Sequence, residues 1–164
     1  MEVDLNVVKE LRQKTGAGVM AVKKALDESK GNSDKAEEIL KKQGLANALK
    51  KSGRETSEGV VQSYIHAGNK IGSLVELKCE TDFVARTDDF VGLAKDLAMQ
   101  VAAMGPLFIS KDDEGADKAS DEEILMSQAF IKDPSLTIED IIKSMISKVG
   151  ENVNISRITK FDLS

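Results

Sequence analysis

Apolar side chains recur at helical spacing through roughly the first fifty positions, alternate in two short runs, then return to helical spacing. Residues 4–15 read as a helix with Val8 and Leu11 on one side. Thr15-Gly16-Ala17-Gly18 breaks it; Gly16 suits a C-terminal cap and Gly18 the entry to the next helix. Residues 18–30 form a second helix, with Val19, Val22, Ala25 and Leu26 on one face and Gly31 as its stop. Asn32 or Ser33 then caps a third helix to about Gln43, with Ile39 and Leu40 inward. A three-helix bundle of this length has a thin core, which suits a docking module. Residues 44–58, with Lys50-Lys51-Ser52-Gly53-Arg54-Glu55, read as a polar, basic connector with room to continue a helix for a turn or two.

The alternating runs, Glu58–His66 and Ile71–Cys79, flank Ala67-Gly68-Asn69-Lys70 and predict a hairpin. Val61 and Ile65 share one face of the first strand; Val75, Leu77 and Cys79 share one face of the second. Cys79 therefore reads as a small packing residue, and His66, beside the turn, as structural or surface. The next stretch, Cys79-Glu80-Thr81-Asp82-Phe83-Val84-Ala85-Arg86, is a strand-to-helix corner, a common place for function. On residue type alone Thr81 caps a turn and Phe83 enters the core. The other reading is that the acid and the ring are presented outward.

Phe90, Leu93, Leu97, Val101 and Met104 line one side of a helix over Asp89–Met104, ended by Gly105-Pro106. Leu107-Phe108-Ile109 is a short strand or extended piece, and Ser110–Ala119 an acidic loop. Ser120-Asp121-Glu122-Glu123 has capping-box spacing and predicts a helix through about Phe130, with Pro134 in the loop beyond. Thr137-Ile138-Glu139-Asp140 opens a last helix with Ile138, Ile141, Ile142, Met145 and Val149 as its apolar stripe, closed by Gly150. Residues 153–162 make a final strand with Val153, Ile155 and Phe161 in phase, interrupted by Arg157. The expected fold is α+β: a helical module with its basic linker over 1–55, then a small antiparallel sheet covered by helices over 56–164.

Composition narrows the functions. With 41% hydrophobic and 31% charged residues the chain is of globular type. No apolar run approaches the ~20 residues of a membrane span, and the acidic opening does not resemble a secretory signal. One cysteine and one histidine make neither an internal disulfide nor a zinc site, and point to a reducing, cytoplasmic setting. Residues 1–56 hold twelve Lys or Arg against nine Asp or Glu, and the remainder eleven against nineteen. An acidic body with five Phe, one Tyr and no Trp is poorly suited to binding nucleic acid. There is no phosphate loop of the G-x-x-x-x-G-K-[ST] kind, Gly16-Ala17-Gly18 falls between helices, and Asp112-Asp113-Glu114 lacks calcium-loop spacing. No cofactor or metal is expected, and nothing resembles an enzyme's acid, base and nucleophile set.

Thr81-Asp82-Phe83-Val84-Ala85-Arg86 after an apolar strand resembles the signature of the elongation factor Ts family. Leu11–Met20 followed by Lys23-Lys24-Ala25-Leu26, then Gln128–Ser135 and Gly150-Glu151-Asn152, match further blocks in the expected order. The resemblance implies a guanine-nucleotide exchange factor that binds elongation factor Tu and promotes GDP release. It implies a ubiquitin-associated-like N-terminal bundle, with Leu11, Val19 and Met20 at positions that touch the partner's nucleotide domain; Val19 stands where many relatives have Met. Met20 falls among Lys23, Lys24 and Asp27, so exposure without a role is the competing reading. Thr81, Asp82, Phe83 and Val84 would act near the partner's Mg²⁺: Phe83 as wedge, Asp82 against metal-associated ligands, Thr81 holding the turn and Val84 packing beneath. Longer relatives have a duplicated core and a coiled-coil insertion, for which this chain has no room, and the resemblance implies a homodimer through the sheet or a strand edge. The alternative is a noncatalytic protein-binding module built on the helical bundle.

Overall fold

The computed structural model describes residues 4–164; the opening Met1 to Val3 lies outside them. The fold is α+β, and contacts divide it into two units: Met1–Arg54 with Lys143–Asn152, and Glu55–Ile142 with Val153–Ser164.

The first unit begins with α1 (Leu5–Thr15), α2 (Val19–Glu28) and α3 (Ser33–Lys51). Asp4 caps α1, and Gly16 ends it in the left-handed conformation, its N–H returning to the Arg12 carbonyl. Asn32 caps α3 by accepting from Lys35 N at 2.9 Å. Val8, Leu11, Val22, Ala25, Leu26, Ala36 and Leu40 form the core, with Ile39 partly buried against it. Val19, expected on the inner face of α2, is the first residue of that helix and is exposed. The third helix runs eight residues past Gln43, taking in much of the expected connector. Gly44 does not break it; a Cβ there would sit 3.2 Å from Ser147 Oγ, so the glycine serves a close approach of the last helix. Asn152, buried at the end of this unit, donates from Nδ2 to the carbonyls of Ser52 (3.3 Å) and Arg54 (2.7 Å). The Gly150-Glu151-Asn152 block thus ties down the chain leaving α3.

The second unit is built on β1 (Glu58–Ile65), β2 (Ile71–Cys79) and β5 (Val153–Asp162), antiparallel in the order β1-β2-β5. The inner face carries Val75, Leu77 and Cys79, all buried, and is covered by α5 (Asp88–Met104). Phe90, Leu93, Leu97 and Val101 of α5 are buried as expected; Met104, in its last turn before Gly105, is half exposed. Ser73, also inward, donates its hydroxyl to the Ala98 carbonyl at 2.6 Å. Opposite Glu76 and Leu77, β5 contains a bulge at Ser156. A bulge inserts one residue and reverses the alternation beyond it. Val153 and Ile155 are therefore inward while Phe161 is turned out, against the expected phase.

The helix expected over Ser120–Phe130 is absent. The capping box forms, but it closes only a single 3-10 turn at Asp121–Glu123, followed by another at Leu125–Ser127. The chain here is pulled extended by pairing with 107–109: Leu125 N donates to Phe108 O at 2.9 Å and Met126 N to Ile109 O at 3.0 Å. Ile124 and Leu125 are both buried by this arrangement. Pro134 lies not in a loop but in β4 (Asp133–Thr137), paired with β3 (Ala129–Phe130) in a two-stranded ribbon where a missing N–H is tolerated. The last helix, α6 (Ile138–Val149), starts where Thr137 Oγ1 accepts from Asp140 N at 3.2 Å.

Candidate functional site

The corner after β2 is held from below and open above. Cys79, wholly buried, donates its thiol to the Thr81 carbonyl at 3.2 Å. Thr81 is extended and caps the four-residue helix α4 (Asp82–Ala85), its hydroxyl oxygen accepting from Val84 N at 3.4 Å. Thr87 closes the other end, donating to Val84 O at 2.8 Å and accepting from Phe90 N at 3.3 Å, which starts α5. Val84 and Ala85 are buried beneath. So short a helix does not hold itself together in water. Here two threonine hydroxyls and two inward side chains fix it between strand and helix.

Phe83 points the other way and is 79% exposed. The core placement suggested by its residue type is overturned: Val84 and Ala85 take the inward positions of the turn. A largely exposed phenyl on a pinned turn is an apolar group offered to something else. Beside it, Asp82 pairs with Arg86 at 2.8 Å across one helical turn, both side chains largely exposed. This pair escaped the sequence reading, though the four-residue spacing of opposite charges was its available signal. No group of metal-ligating side chains occurs among the described residues. His66 is engaged with Tyr64, ring nitrogen to hydroxyl at 3.0 Å.

The first unit presents a second exposed set. Met20 is 77% exposed on α2, with Val19 beside it and the charged Lys23 and Lys24 on the same outer side. Leu11, expected with them at the partner contact, is buried in the core of the bundle. A third set covers the outer sheet face. The register aligns Val61 with Glu76, Ile65 with Gly72, Leu74 with Thr159 and Gly72 with Phe161, so Val61, Ile65, Leu74 and Phe161 share that face, all exposed.

The family model for elongation factor Ts matches residues 4–122. The chain is 46% identical to elongation factor Ts of Methylacidiphilum infernorum, covering 98% of this chain and 95% of that one. It is 43% identical to that of Carboxydothermus hydrogenoformans (96% and 87% covered) and 42% identical to that of Fervidobacterium nodosum (99% of each). The chain belongs to the elongation factor Ts family. Its function is that of the family: nucleotide exchange on elongation factor Tu during translation elongation, not an enzymatic reaction. The alignments run over 191, 189 and 195 positions, more than the 164 residues here, so these relatives carry segments that this chain lacks. No helix among the described residues is long and apolar enough to cross a membrane.

Proposed function

We propose that the corner is the part of this exchange factor that disturbs the Mg²⁺ and phosphate site of GDP-bound elongation factor Tu. The observation that carries the reading is the exposed Phe83 on a turn whose every other apolar side chain is buried. Phe83 enters an apolar slot of the partner and shifts the elements that hold the nucleotide. Asp82 acts on the surroundings of the metal, Thr81 keeps the turn in shape, and Val84 anchors it to the body. A GTP-binding protein holds its nucleotide through a phosphate loop and Mg²⁺, so loss of the metal loosens the phosphates. Binding is reciprocal: a factor that weakens nucleotide affinity is itself displaced by returning nucleotide, to the same degree. A differential of a few kcal/mol is enough, each ~1.4 kcal/mol being tenfold.

In the same reading Val19 and Met20 contact the partner's nucleotide domain, and the buried Leu11 helps hold the bundle that carries them. Methionine suits such a contact because it repacks at low cost. The outer face of the sheet joins two copies in a homodimer, supported by the apolar set Val61, Ile65, Leu74 and Phe161. Sheet-to-sheet packing in a two-fold pair covers an isologous patch. The setting is cytoplasmic. The test is release of labelled GDP from elongation factor Tu with and without the full chain, then with Asp82→Asn and Met20→Ser. The reading requires acceleration by the unmodified chain, a lower maximal rate for Asp82→Asn, and weaker half-saturation for Met20→Ser. No acceleration by the unmodified chain, or unchanged behaviour of both variants, overturns it. A buried corner would have favoured the noncatalytic binding-module alternative, and Phe83 is exposed.

A further inference from the structure

We propose that Arg86 is the counter-cation of the exchange corner: in the nucleotide-free complex its guanidinium leaves Asp82 and pairs with the partner carboxylate that had held Mg²⁺. The inference rests on the role given to the corner above. Residues 80–89 contain four acids, Glu80, Asp82, Asp88 and Asp89, and a single cation, Arg86. Phe83 and Arg86 are three positions apart, which places ring and guanidinium on the same side of the turn. Both are exposed, so a turn that presents the ring to a pocket presents the guanidinium with it.

In a GTP-binding protein the Mg²⁺ is held by a hydroxyl and an aspartate. When the metal departs, that aspartate loses its countercharge while the corner brings Asp82 towards it. Two carboxylates brought together without a cation repel, and like-charge contacts across an interface oppose binding. Arg86 is the only group in the stretch able to offset this. Its pair with Asp82 opens at little cost, since exposed ion pairs contribute ~0–1 kcal/mol. A planar guanidinium also matches a carboxylate through two parallel hydrogen bonds. Mg²⁺ and Arg86 then compete for one carboxylate, which gives the proposal a signature that a merely structural arginine lacks.

The experiment is equilibrium binding of the full chain to nucleotide-free elongation factor Tu, from excess chelator to millimolar Mg²⁺. For the unmodified chain, binding is tight in chelator and weakens as Mg²⁺ rises. Arg86→Gln is expected to bind about tenfold more weakly in chelator and to show a flatter Mg²⁺ dependence, with Arg86→Lys between the two. Thermal midpoints of all three are expected to agree. Equal affinity of Arg86→Gln and the unmodified chain in chelator, or identical Mg²⁺ slopes, overturns the proposal while leaving the corner's role intact. If the unmodified chain fails to accelerate GDP release, the corner reading falls and this proposal with it.

Discussion

Replacing Gln100 by Met removes one side chain and strands three groups. Gln100 is completely buried on α5. Its Nε2 donates to Gln128 Oε1 at 3.1 Å and to the Ala129 carbonyl at 3.0 Å, and its Oε1 accepts from Ile131 N at 2.9 Å. Gln128 in turn donates to the Glu122 carbonyl at 2.6 Å. Met has similar volume, so the cavity term is small and the cost is that of unpaired polar groups. Each buried group left without a partner costs ~1–3 kcal/mol. Ala129 is exposed and Ile131 half-buried, so water replaces part of what is lost there; the Gln128 amide is buried and cannot recruit it. The expected loss is therefore about 2–4 kcal/mol, below the sum for three buried groups. Urea unfolding measures it, and amide hydrogen exchange at Ile131 localises it. A loss below about 1 kcal/mol, or unchanged protection at Ile131, refutes the claim that this amide pair fastens 122–131 to α5.

Gly59→Ala places a Cβ 2.2 Å from the Leu77 carbonyl oxygen, backbone against backbone, so β1 must move off β2; a loss of ~2 kcal/mol or more is expected in urea unfolding, and none would contradict the geometry. Asp162 accepts from the Ser164 hydroxyl and backbone N–H and pairs with Lys160, which lowers its pKa from 3.8 to about 2. A lowered carboxylate contributes stability that is present above pH 3.8 and lost as pH falls through 2; NMR titration gives the midpoint, and Ser164→Ala is expected to raise it. Phe161→Asp on the outer sheet face is expected to turn a sedimenting dimer into a monomer of 17.8 kDa; an unmodified chain already at that mass contradicts the dimer.

The helices and the hairpin were readable because their period is carried by the chain itself. Val8 and Leu11, Val22, Ala25 and Leu26, and Val75, Leu77 and Cys79 are all buried as their spacing implied. What local pattern could not carry was tertiary in origin. Ser120–Glu123 has the residues of a helix start, yet pairing with Phe108 and the buried Gln100–Gln128 contact draw the following chain out of helical geometry. One extra residue at Ser156 moved Phe161 to the opposite face. At the corner, motif and capping threonine were visible in sequence, but the direction of Phe83 depends on which side chains of a four-residue turn face the body, and that is set by strand and helix on either side.

The most direct test compares stability and exchange in Phe83→Ala. Truncating a buried Phe costs ~3–5 kcal/mol. At 79% exposure most of that contact is absent, and the expected loss of stability is below about 1 kcal/mol. The same variant, at equal concentration, is expected to slow GDP release from elongation factor Tu by about tenfold or more, equivalent to ~1.4 kcal/mol of lost differential binding. Full acceleration by a stably folded Phe83→Ala chain would contradict the account.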